Sequence, residues 1–341
     1  MEDRRSPRRA RDPTLRDVAA AAGVSIWTAS NTYGNPARVS EATRQRVLAA
    51  AQELGYLGPH PGARSLARGR TGMIAMVGPG DADLLLSDPA AALVTRGLLT
   101  ACSWAGHPLV LSGASGAPIA DGRVFFRSVP ETDARVPGVV VDGPPGPGAA
   151  YAVRADVRGA AAALARHLHD IGHRDLAVLS WPGGEDRLTG VEDGWPGAPP
   201  RVYRVEPRPD GPGERDDRGS GRAAGEALAR AALSRDPHPT AVLALGDTLA
   251  LSVLQVAHWM GLRVPDDVSV AGLDDLPGSD AAGLTTALVP YRSLGERAGD
   301  VLMALLAGEE PAAAPDLATA LAIRRTTGPP PGGLPGSSLT G

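Results

Sequence analysis

Apolar positions in the first sixty residues recur at helical spacing. In TLRDVAAAA, Leu15, Val18, Ala19 and Ala22 fall at i, i+3, i+4 and i+7, one face of a helix. Thr14 precedes that helix as its N-cap, Asp17 follows three residues on, and Gly23 ends it with a residue free to turn left-handed. Ser25 caps a second helix that runs to about Tyr33, where Gly34, Asn35 and Pro36 stop it. Ser40 caps a third, with Glu41 in its first turn to complement the dipole. Val47, Leu48, Ala51 and Leu54 line its inner face, and Gly55 ends it. Small residues at Ala19 and Ala29 let the first two helices approach closely. A helix, a glycine turn, a second helix and a longer third one make a helix-turn-helix module, whose second helix is the one placed to enter a major groove.

From Met73 the pattern changes to strand and helix in alternation. GMIAMVG, HPLVLSG, PGVVVDG, DLAVLSW, TAVLALGD and DVSVAGLDD are short apolar runs bounded by Gly or Asp. Between them lie helical stretches at 89–105, 156–173 and 248–262. This alternation predicts parallel sheets.

Charge divides the chain at the same place. Residues 1–72 hold 12 Arg against 6 acids, a net of +6, while the remainder holds 22 Arg against 32 acids. A basic head on an acidic body predicts a head that meets a polyanion. All 34 basic residues are Arg, so a Walker A loop, a Schiff-base lysine and a Ser–Lys dyad are excluded. The single Cys102 excludes an internal disulfide and a cysteine-based zinc site. The N-terminus has charge but no apolar core of a secretory signal, and no apolar run approaches membrane-spanning length, so a cytoplasmic, nucleoid-associated protein is expected.

The order of residues in TLRDVAAAAGVSIWTASNTYGNPARVSEATRQRVLAAAQELGY resembles the DNA-binding head of the LacI/GalR family of bacterial transcription regulators. The resemblance rests on T-L-x-D-V-A, A-G-V-S, T-x-S, the asparagine-containing turn, V-S-x-x-T-R-x-R-V and E-L-G-Y. It continues through PHPGARSLARGRTG, which in that family is a hinge helix whose leucine wedges into the minor groove. Here that residue is Leu66, with Arg64 beside it. In the body, H-L-x-x-x-G-H-R-x-L-A-V-L, G-L-R-V-P-D-D-V-S-V-A-G-L-D-D and L-T-T match, so the similarity covers about residues 14–325. It implies a small all-α helix-turn-helix head and an α/β periplasmic-binding-protein-like body of two Rossmann-like lobes. Chain crossings between lobes are expected near Arg154–Asp156, near Leu288–Tyr291 and after residue 310. One stretch departs: VEDGWPGAPP is expected to break any helix from residue 191, and RPDGPGERDDRGSG reads as loop.

The implied organisation is a disordered basic arm (1–13), the DNA-binding domain (14–58), a hinge (59–71), an effector-binding and dimerisation domain (72–325) and a disordered tail (326–341). Thr14, Ser25, Ile26, Trp27, Thr28, Asn31, Asn35, Arg64 and Leu66 are the expected DNA contacts. Asn31 suits bidentate pairing with adenine, and Trp27 faces either DNA or the third helix. Resemblance places Arg187, Asp247 and Asp274 in an effector site at the carboxyl ends of strands, where an Arg fork and carboxylates suit sugar hydroxyls. Asp156 is either a helix cap or a ligand group, and Trp181 and Tyr291 either stack on a ring or pack in the core. The family's Asn before Asp247 is Gly246 here.

His167, His169 and His173 resemble a metal cluster in spacing, but two match structural histidines of the family, so no metal is expected. No cofactor and no catalytic residues are expected either: there is no nucleophile elbow, and GSGRAAG at 219–225 lacks the preceding strand of a dinucleotide loop. The expected partners are a double-stranded DNA operator, a small sugar-like effector and a second copy of the chain, with no membrane. The reading is a repressor acting on a palindromic operator. Its rival is a soluble sugar-binding protein or sugar-processing enzyme with a vestigial head.

Overall fold

A computed structural model describes residues 13–56, 70–114, 119–127, 136–205, 220–312 and 315–332. The chain divides into two compact units, Met1–Gly72 and Met73–Gly341.

The first unit contains α1 (Leu15–Ala21), α2 (Ile26–Gly34), a 3-10 turn (Pro36–Arg38) and α3 (Glu41–Leu54). Thr14 and Asp17 form the reciprocal capping box, with 2.6 Å between hydroxyl and carboxylate. Ser25 and Ser40 cap α2 and α3 by accepting from the Thr28 and Thr43 amides. Gly55 ends α3 at φ 68°, a conformation glycine adopts at no steric cost. The core is Val18, Ala19, Ala29, Val47, Ala50 and Ala51, with Leu15, Ala22, Val24, Tyr33 and Tyr56 at its edge. Four of these six buried positions are Ala, which keeps the three helices close. Residues 57–69, which include hinge positions 59–69 with Arg64 and Leu66, lie outside the described residues.

The second unit has two sheets. The first is ordered β2-β1-β3-β4-β5: β1 (Ile74–Gly78), β2 (Leu109–Gly113), β3 (Gly122–Phe126), β4 (Gly138–Val141) and β5 (Tyr151–Val153), all parallel. After β1 come a short α4 (Leu84–Ser87) and α5 (Pro89–Trp104). Strand β3 was not anticipated; GRVFF is too short and too polar at its start to stand out. Helix α5 and the late helix α10 (Tyr291–Ala307) cover one face. They cross backbone to backbone, because a Cβ at Gly97 would fall 2.0 Å from the Arg292 carbonyl and one at Gly295 would fall 2.0 Å from the Val94 carbonyl. Among the described residues, the buried apolar cluster on the opposite face is Ala75, Val77, Ala120, Phe125, Val140 and Ala149, all in strands or loops.

The second sheet is ordered β7-β6-β8-β9: β6 (Leu176–Ser180), β7 (Arg201–Arg204), β8 (Ala241–Ala244) and β9 (Ser269–Ala271), again parallel. Helices α6 (Val157–Asp170) and α7 (Glu185–Gly194) pair on one face, and α8 (Ser220–Leu233) and α9 (Asp247–Trp259) pair on the other. Side chains of successive strand residues alternate between these layers, as strand geometry requires: Val178 faces α6 and α7, Ala177 and Leu179 face α8 and α9.

Two expectations are corrected. Helix α7 does not break at residue 191 but runs to Gly194. The glycines that lower its helix propensity are what let it lie on α6, since a Cβ at Gly190 or Gly194 would fall 2.2 or 2.1 Å from the carbonyl oxygens of Arg158 and Ala162. Packing overrides propensity here. The tail expected from residue 326 is held through 328: Thr326 is buried and accepts from the Val270 amide, and the Gly328 carbonyl accepts from His173. The chain crossings fall near the expected places, where Ala155 bridges Leu317 and Asp274 bridges Leu288, while β10 (Thr286–Leu288) pairs antiparallel with β11 (Ala320–Ala322).

Candidate functional site

Two places bring the sequence-derived residues together, one in each unit. In the head, α2 begins with Ile26 and Trp27, which are 46% and 62% exposed and stand outside the core cluster. Trp27 therefore does not pack into α3. The polar groups beside them turn inward to the helix. Ser25 Oγ takes the Thr28 amide at 3.0 Å and lies 2.9 Å from the Thr28 hydroxyl. Asn31 Nδ2 donates to the Trp27 carbonyl at 2.9 Å, so its amide is folded along its own helix. Asn35 ends α2 at φ −150° and makes no side-chain cap.

In the body, an open cleft of about 2520 Å³ is lined from both lobes. A pocket closed on one small ligand measures roughly 300–1,000 Å³, so this cleft is a groove with room to close. Its second-lobe wall carries Arg187 and Asp274, backed by the buried Tyr291, which does not itself line the cleft. Arg187, on α7, meets the Asp274 carboxylate at 3.0 Å and donates to the Tyr291 hydroxyl at 2.9 Å and the Leu245 carbonyl at 2.9 Å. Tyr291 in turn donates to Asp274 Oδ1 at 2.6 Å. Asp274 Oδ2 has no hydrogen-bond partner among the described residues. Burial pushes the Asp274 carboxyl above its ordinary range, against the pull of the Arg187 guanidinium. Burial also works against the charge on Arg187, but Asp274 and Tyr291 outweigh it and hold the guanidinium more strongly basic than usual. The Tyr291 phenol is raised by its burial and by the Asp274 charge.

Gly246 separates Trp181 from Asp274. Its φ of 170° is extended backbone that any residue adopts, and a Cβ there would sit 3.6 Å from Asp274 Oδ2 and 3.7 Å from the Trp181 ring. Asp156 both caps α6, accepting from the Gly159 amide at 2.8 Å, and lines the cleft. Asp247 is the exception. It does not line the cleft; it is fully buried, and its carboxylate takes the Leu276 amide at 2.9 Å, the Thr286 hydroxyl at 2.6 Å and the Ser279 hydroxyl. With three donors seated on two oxygens it ties the β9–β10 loop to α9 and has nothing to offer a ligand.

The first-lobe wall escaped the sequence reading. Arg127 follows β3 directly and Asp142 follows β4, and they pair at 2.9 Å. Arg127 also meets Asp88 at 3.1 Å and lies over the Phe126 ring at 4.5 Å. The signal that could have found them is position, because ligands gather at carboxyl ends of parallel strands; an unrecognised β3 hid Arg127. Four non-glycine residues among those described have φ between 55° and 149°: Arg127, Asp142, Asp274 and Asp275. Three of the four line the cleft, and such backbone strain concentrates at functional sites.

The three histidines do not converge. His167 meets the Thr327 hydroxyl at 3.2 Å, His169 stands edge-on to Trp195, and His173 is buried between Thr240 and the Gly328 carbonyl. No described helix is long and apolar enough to cross a membrane.

Residues 14–58 match the lacI family of bacterial regulatory proteins, and residues 165–327 match the periplasmic binding protein-like domain. The chain is 32% identical to the HTH-type transcriptional regulator Rv3575c of Mycobacterium tuberculosis, over 95% of this chain and 99% of that one. Among solved structures it superposes on a lac repressor dimer bound to operator and the anti-inducer ONPF with a TM-score of 0.74, at 24% identity, over 93% of this chain and 100% of that one. It also superposes on the complex of the transcriptional regulator CelR with cellobiose, with a TM-score of 0.62, at 26% identity, over 92% and 99% of the two chains.

Proposed function

Since the chain belongs to the lacI family of bacterial regulatory proteins, we propose that it is a dimeric transcription repressor whose hold on a palindromic operator is set by a small polyhydroxylated effector. The observation that carries the DNA-binding half is the start of α2: a capped helix end with two uncovered apolar side chains in a basic head. Ser25, Ile26, Trp27, Thr28 and Asn31 meet base edges, Thr14 and Asn35 meet the backbone at helix ends, and Arg64 and Leu66 act in the minor groove at the operator centre.

The effector half rests on the cleft. A guanidinium fork, carboxylates and an indole are the chemistry that holds a ring bearing hydroxyls. Arg187, Asp274, Trp181 and Asp156 form one wall and Arg127 with Asp142 the other. A ligand that favours one spacing of the lobes shifts the DNA-competent population by its differential affinity. Full-length protein presented with random duplexes should select a palindrome with one α2 per half-site. Selection of a single asymmetric half-site would refute the dimeric reading, and release of the selected duplex by none of a panel of mono- and disaccharides would refute the effector reading.

A further inference from the structure

The head carries an apolar feature that its own folding does not use. Ile26 and Trp27 are the first two residues of α2, they are exposed, and the core is complete without them. Two large apolar side chains side by side at a helix end, each about half uncovered or more, form a small contiguous apolar patch in a basic head. The inward face of the same helix is accounted for by Ala29, Thr32 and Tyr33.

The neighbouring polar groups narrow the occupant. Ser25 and Thr28 satisfy one another and the helix end, and the Asn31 amide nitrogen bonds the Trp27 carbonyl. Part of the hydrogen-bonding capacity at this end of α2 is thus spent within the helix, and beside what remains stand the exposed Ile26 hydrocarbon and the Trp27 indole, whose one donor is its Nε1–H. In a major groove, guanine, cytosine and adenine present hydrogen-bonding groups, and thymine alone adds a methyl. Covering a base-edge donor or acceptor with an apolar group strips its water without replacing the bond, which is unfavourable. Covering a methyl is favourable.

Resting on the DNA-binding reading above, we propose that Ile26 and Trp27 are specificity-determining residues that read thymine through its C5 methyl group in each operator half-site. The occupant of this patch is therefore the methyl-bearing edge of A·T pairs. The net charge of +6 on residues 1–72 brings that polyanion to the head.

The test uses full-length protein and the duplex it selects from a random pool. Each thymine of that duplex is replaced in turn by uracil, which removes the methyl and leaves the pairing edge intact. Binding should weaken by about four-fold per contacted methyl, at one or two thymines in each half-site and nowhere else. The double variant Ile26→Ala/Trp27→Ala, with both positions exposed, should melt like the wild type and bind thymine and uracil duplexes alike. Equal affinity of the wild type for both duplexes would overturn the inference, as would a double variant that keeps the uracil sensitivity. If no duplex is selected at all, the DNA-binding reading itself fails; if one is selected and uracil is silent, only the methyl readout fails.

Discussion

Tyr291 donates a hydrogen bond from its hydroxyl to one oxygen of Asp274, at 2.6 Å, while Arg187 supports both groups. That leaves Oδ2, on a residue only 6% exposed, without a hydrogen-bond partner among the described residues, beside the bare backbone of Gly246. An open acceptor on a residue that lines the cleft suits a ligand donor. Asp274→Asn keeps the shape and removes the charge, so it should abolish effector-driven release of a labelled operator while operator affinity stays within about two-fold. Tyr291→Phe removes two hydrogen bonds with charged groups, one from Arg187 and one to Asp274, and should cost about 3 kcal/mol or more in urea unfolding. Retained effector response in Asp274→Asn would take the residue out of the site.

Asp247 should behave in the opposite way. Its three donors come from the β9–β10 segment and it touches no cleft. Asp247→Ala leaves buried donors unpaired and should destabilise the body by about 2–4 kcal/mol. Urea titration of the body, Met73–Gly341, in the full-length protein measures the loss. A stable variant with a lost effector response would restore it to the binding site.

His173 makes stability depend on pH. Burial lowers its pKa below the ordinary value near 6.5, and His167 is lowered by burial too. The folded protein therefore keeps these rings neutral where the unfolded chain takes protons. Their contribution is complete above about pH 6.5 and is lost as pH falls below it. Glu41 and Asp267, held down to about 2 by Arg44 and Arg263, stay ionised through that window. Melting temperature should fall from pH 7 to pH 5, and His173→Gln should start lower and fall less. A flat wild-type profile over that window would contradict this.

Gly194 is expected to be irreplaceable for a reason of space. Gly194→Ala would improve helix propensity by about 1 kcal/mol in isolation, yet its methyl would meet the Ala162 carbonyl. Overpacking of this kind costs about 1–3 kcal/mol, so the variant should melt lower than wild type. A higher melting point would mean that α6 and α7 separate freely.

The head was legible almost residue by residue, because its signals are local: Thr14 and Asp17, Ser25, Ser40 and Gly55 each fix a helix end through neighbours in the chain. The body was legible as alternation but not in its short strands. GRVFF carries too few residues to show a period, and Arg127 was lost with it. Asp247 was misassigned because its three-donor setting is built from Leu276, Ser279 and Thr286, which only the fold brings to it. The end of α7 and the ordered stretch after 326 were likewise decided by packing against α6, β9 and His173.

The most direct test compares the affinity of the full-length protein for its selected palindrome and for a scrambled duplex, by fluorescence anisotropy between 50 and 200 mM salt. Phosphate contacts release counterions, so log affinity for both duplexes should fall linearly with log salt. The palindrome should keep an advantage of about 10³-fold or more. Leu66→Ala should narrow that advantage while leaving the scrambled duplex unaffected, since no charge changes. Equal affinity for the two duplexes, or binding indifferent to salt, would contradict a sequence-specific DNA-binding regulator.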